Sequence, residues 1–74
     1  MVGFTVEVME SSYRNRVFAA RMWNVPTGKL TTALTGAPVR HFKDDGSWVQ
    51  FVALCRQFDA TFIGDINLLP VAAN

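Results

Sequence analysis

Val2, Phe4, Val6 and Val8 alternate with Gly3, Thr5, Glu7 and Met9. A period of two, rich in β-branched residues, predicts a strand with one buried face. Glu10-Ser11-Ser12 then supplies turn chemistry, since serine hydroxyls compete for nearby backbone groups. Two periodicities compete from Tyr13 to Asn24. Val17, Ala20 and Trp23 fit a helix face, whereas Val17, Ala19, Arg21 and Trp23 alternate with Phe18, Ala20 and Met22 as a strand would. The turn Val25-Pro26-Thr27-Gly28-Lys29 favours the strand, because proline presets one corner and glycine accepts a positive φ. A strand is therefore expected from about Asn15 to Asn24, returning through Leu30–Thr35 until Gly36-Ala37-Pro38 breaks it. Val39–Lys43 reads as a further short strand, placed at an edge or a strand start by Pro38.

Trp48, Phe51, Val52, Cys55 and Phe58 recur at three- and four-residue steps and form one apolar stripe. They predict a helix over Ser47–Phe58, with Asp45 or Ser47 as its N-cap. Thr61-Phe62-Ile63 and Ile66-Asn67-Leu68-Leu69 read as a closing strand stopped by Pro70, with 71–74 as a frayed tail. The expected fold is a single α+β domain: an antiparallel meander of three or four strands, one helix packed on one face, and a C-terminal strand. The helix stripe would bury against Val6, Val8, Phe18 and Met22, leaving the other sheet face open.

With 74 residues and a single cysteine, the chain has a small core and no internal disulfide. Half its residues are hydrophobic, which excludes disorder as the expectation. Its apolar runs are too short for a membrane helix, and Met1–Glu7 has neither the basic start nor the apolar core of a secretory leader. Net charge is only +1, but it is unevenly placed. Every charged residue from 11 to 43 is basic, and acids dominate both flanks. Such a chain either presents a polarised surface or dissipates its charge over solvated faces.

No pattern of catalytic residues emerges. His41 has no serine or cysteine nucleophile near it in sequence and reads as a strand histidine. Cys55 falls on the helix stripe and reads as a small hydrophobe. One Cys and one His do not build a zinc site. Asp44-Asp45-Gly46-Ser47 lacks the alternating acids and closing Glu of a calcium loop and reads as helix capping. No cofactor is implied.

Binding is the remaining class. Tyr13, Arg14, Arg16, Phe18, Arg21 and Trp23 mix aromatics with cations on one hairpin. Exposed, they would suit a small RNA- or ssDNA-binding module using residues 11–43. Alternatively Phe18 and Trp23 belong to the core, with the arginine stems lying over them. For a protein partner, Glu7, Glu10, Tyr13, Arg14 and Arg16 form the most contact-like group: an aromatic among opposite charges around one turn.

In length, in Met9-Glu10-Ser11-Ser12-Tyr13-Arg14-Asn15-Arg16 and in Trp23-Asn24-Val25-Pro26-Thr27-Gly28-Lys29, the chain resembles the small transcription regulators of lytic Xanthomonas phages. That resemblance implies a monomeric, non-enzymatic protein of the host bacterial cytoplasm. It would bind RNA polymerase at the β′ amino-terminal region and the β flap. It would inhibit initiation by displacing the sigma factor and act as an antiterminator, with nascent RNA as a possible contact.

Overall fold

The computed structural model describes residues 3–26 and 38–70. The expected return strand at 30–35, most of the turn before it and the tail at 71–74 lie outside the described residues. Strand β1 spans Thr5–Glu10, β2 Phe18–Trp23 and β3 Val39–Phe42. Helix α1 spans Asp45–Gln57, strand β4 Thr61–Gly64, and one 3-10 turn follows at Ile66–Leu68. The strands form one sheet in the order β3-β2-β1-β4.

The α+β class is as the sequence predicts, but the sheet is mixed rather than antiparallel. β1–β2 and β2–β3 pair antiparallel, whereas β4 lies parallel to β1, with Thr5 beside Thr61 and Val8 beside Gly64. The reason is the helix. It carries the chain from the end of β3 back across the sheet, so β4 enters in the direction of β3, which is also that of β1. Among the described strands β3 lies at an edge, preceded by Pro38. The second strand starts at Phe18 rather than Asn15, because residues 11–17 form a closed loop. The closing strand is shorter than expected and bends at Gly64 into the 3-10 turn.

Gly64 has φ 83°, and a Cβ there would stand 2.5 Å from the Val8 carbonyl oxygen. Only glycine lets β4 leave β1 so closely.

The helix is capped by Asp44, one residue before Asp45 and three before Ser47, the two expected candidates. Asp44 accepts from the Ser47 backbone N–H at 2.8 Å, and Ser47 Oγ donates to the same carboxylate at 2.8 Å. Ser47 is thus the residue being capped, inside a helix that starts at Asp45. These bonds to the ionised form hold the Asp44 carboxyl below its ordinary pKa. At the other end Ala60 N–H reaches the Cys55 carbonyl and Asp59 N–H the Arg56 carbonyl, with Asp59 left-handed at φ 57°. This is the Schellman arrangement, here without the usual glycine.

The core lies between α1 and one sheet face. Trp48, Phe51, Val52 and Cys55 meet Phe4, Val6, Val8, Ala20, Met22 and Phe42, with Phe18 and Phe58 half-buried at its margin. Trp48 is its hub. Phe18 stacks on it at 5.0 Å, Phe42 lies at 5.3 Å and Phe51 at 5.9 Å between centroids. Its indole N–H donates to the Leu68 carbonyl at 2.9 Å, which ties the 3-10 turn to the helix and satisfies the buried indole nitrogen.

Candidate functional site

Strand alternation assigns the remaining residues to the face away from α1. Registers place Trp23, Thr5 and Thr61 in one row, and Val39, Arg21, Glu7 and Ile63 in the next. The third row holds His41, Ala19 and Met9. Trp23 is 41% exposed and Ile63 43% exposed. This face bears the accessible aromatic and the charged pair Arg21 and Glu7, which stand directly opposite each other on β2 and β1. Trp23 therefore belongs to the open surface, while Phe18 packs on Trp48 toward the helix.

One end of the face is finished by the loop between β1 and β2. Ser11 N–H donates to the Val17 carbonyl at 3.0 Å, closing the loop, and Arg16 N–H donates to the Tyr13 carbonyl at 3.1 Å, making a tight turn inside it. Ser11 Oγ accepts from the Tyr13 N–H at 3.0 Å and lies 2.7 Å from His41 Nδ1 on β3. The Tyr13 ring stacks on the His41 ring with centroids 4.0 Å apart and 26° between planes. Tyr13 is nevertheless 63% exposed, so one face of the ring rests on the protein and the other meets solvent. Ala19, the register partner of His41, is 1% exposed on this same face.

The sequence-selected contact residues are divided by this geometry. Glu7 points to the open face, as the alternation predicts. Glu10, three residues on, falls on the helix side of the strand and is exposed at its end. Tyr13, Arg14 and Arg16 are exposed on the loop, which leans over the open face. Sequence reasoning missed His41 and Ser11 as the support of that loop. They are 30 residues apart, and only the β2–β3 register brings them together.

Ser11 and His41 make a serine–histidine contact that the local sequence conceals. Ser11 Oγ is engaged by the Tyr13 N–H, the Tyr13 ring covers the imidazole, and no carboxylate bonds to His41 among the described hydrogen bonds. An activated nucleophile needs an oriented base and an open approach. The contact reads as a loop anchor. Cys55 is fully buried, and burial pushes its thiol up to about 12, so it stays protonated and unreactive at neutral pH.

A cleft of about 260 Å³ opens between β3 and α1, lined by Arg40, Phe42, Ser47, Gln50, Phe51 and Leu54. The Arg40 guanidinium lies 5.8 Å from both the Phe42 and Phe51 ring centroids. Among the described residues that line it, Arg40 is the one charged side chain. Among the described residues no three His, Cys, Asp or Glu side chains gather to hold a metal ion, and no helix is long and apolar enough to cross a membrane.

Comparison with protein families, with curated proteins and with solved structures finds no match to this chain.

Proposed function

We propose that this chain is a non-enzymatic binding module that regulates transcription by docking on bacterial RNA polymerase through Tyr13. The observation that carries the binding reading is the Tyr13 loop. Its aromatic ring is mostly exposed yet fixed from behind by His41 and from below by Ser11. An anchor held in place before binding loses little entropy on docking, and tyrosines with a charged rim are frequent hot spots. Arg14 and Arg16 on the same loop, with Glu7 on the adjoining face, supply that rim.

The choice of polymerase rests on the likeness of Met9–Arg16 and Trp23–Lys29 to the phage regulators. On that reading the module binds the β′ amino-terminal region and the β flap, displaces the sigma factor and promotes readthrough of terminators. The test is binding of the intact protein to a purified β′ amino-terminal fragment. Tyr13→Ala should cost about 2 kcal/mol or more of affinity. No binding by the wild-type protein, or equal binding by the variant, would overturn the assignment.

A further inference from the structure

We propose that the open sheet face is a binding surface for single-stranded RNA, with Trp23 and the outer face of Tyr13 as its two stacking platforms. Three observations on this face converge. The first is aromatic placement. Trp23 stands exposed on central strand β2, and Tyr13 lies above His41 on neighbouring β3. Trp23 and Ala19, the partner of His41, are four residues apart on β2, or roughly 14 Å at strand rise. Four-stranded sheets that read single strands accommodate about two or three bases by stacking.

The second observation is charge. Arg21 lies on β2 between the two platforms, and Arg14 and Arg16 are exposed on the loop beside Tyr13. Glu7 is the acid within the rows themselves, opposite Arg21; Glu10 and Asp65 lie at the strand ends. Cations flanking and separating two π faces suit a chain of phosphates between stacked bases. The third is the chemistry beside Trp23. Thr5 and Thr61 share the row of Trp23 and the Glu7 carboxylate stands in the next row, and these groups can bond a ribose 2′-hydroxyl, which DNA lacks.

The inference rests on Trp23, Arg21 and the outer face of Tyr13 and goes beyond the polymerase reading; its test turns on Trp23 and Arg21, whereas that reading is tested through Tyr13→Ala and a protein fragment. The experiment is fluorescence anisotropy of the intact protein with a labelled eight-nucleotide RNA of mixed sequence and the matching ssDNA. RNA should bind, binding should weaken as salt rises, and the DNA should bind several-fold less tightly. Trp23→Ala should weaken RNA binding at least about tenfold, and Trp23→Phe should restore most of it. Arg21→Gln should weaken binding and flatten the salt dependence. In the wild-type protein, RNA should quench the Trp23 emission while that of buried Trp48 persists. This readout needs no variant to fold.

Absence of RNA binding, an unquenched Trp23, or equal affinity of folded Trp23→Ala would overturn the proposal. Equal affinity for DNA would overturn the assignment to RNA. Loss of the β′ fragment, but not of RNA, in Trp23→Ala would make this face a protein contact and overturn it as well.

Discussion

The ring of Tyr13 rests on the ring of His41, so strand β3 holds up the loop that joins β1 to β2. Ser11, bonded to the Tyr13 backbone and near His41 Nδ1, completes the support. His41→Ala should remove the platform and free the loop while leaving the helix–sheet core intact. A stability loss of about 0.5–1.5 kcal/mol is expected, together with faster amide exchange confined to the loop. Hydrogen exchange with and without the substitution checks this. Unchanged exchange across residues 12–17 would show that the loop holds itself.

Phe51 touches both Phe42 and Trp48 from the helix and is buried. Phe51→Ala should cost about 3–5 kcal/mol, enough to unfold most of a domain this small. A cooperative thermal transition near that of the wild type would count against the central place given to this contact.

Asp44 accepts both the backbone N–H and the hydroxyl of Ser47, and these bonds lower its pKa. Its contribution is therefore present above the unfolded-state value and is lost as the pH falls below the ordinary 3.8. Asp44→Asn keeps an accepting oxygen and removes the titration. Thermal melts between neutral and acid pH should show a shallower acid limb for the variant. Parallel limbs would mean that other carboxylates govern acid unfolding.

Cys55 behaves in the opposite sense. Its thiol ionises only near pH 12 in the folded protein against an ordinary 9.0. The stability it contributes is intact below 9 and declines as pH rises from there toward 12. A thiol reagent at neutral pH should react at the rate of unfolding, and Cys55→Ala should flatten the alkaline limb. Rapid stoichiometric labelling of the native protein would contradict its burial.

Two left-handed residues offer substitutions of opposite sign. Asp59→Gly should stabilise the helix end by about 0.5–1 kcal/mol, since glycine occupies this conformation freely. Gly64→Ala should destabilise by roughly 2 kcal/mol or more, because the strained φ is joined by a collision with the Val8 carbonyl. Denaturant titrations of the pair would reveal an error in either backbone assignment.

The helix and first strand were legible because burial imposes its own period. The Trp48–Phe58 stripe admits one helical face, and Val6 and Val8 one strand face. Direction was less legible. Alternation at Thr61–Gly64 is the same whether a strand runs parallel or antiparallel, and only the crossing of α1 decides. The N-cap fell on Asp44 instead of Asp45 or Ser47 because all three have capping chemistry, and backbone angles choose among them. At the candidate site, Glu7 could be placed by pleat alone. Tyr13 could not, since its position depends on His41, and their meeting depends on how β3 slides along β2. Alternation along β2 exposes Trp23 and turns Phe18 toward Trp48, as the expected burial of Phe18 under the helix stripe required.

The parallel seam between β1 and β4 has a kinetic side. Thr5 meets Thr61, so the sheet acquires its fourth strand only once residues 61–64 are available, more than fifty positions after β1. Closing so long a loop brings no contact reward until the ends meet, which makes this docking a natural late step. During synthesis on the ribosome, β1 would carry a bare hydrogen-bonding flank until residues 61–64 emerge. In that interval another extended chain could occupy the place of β4.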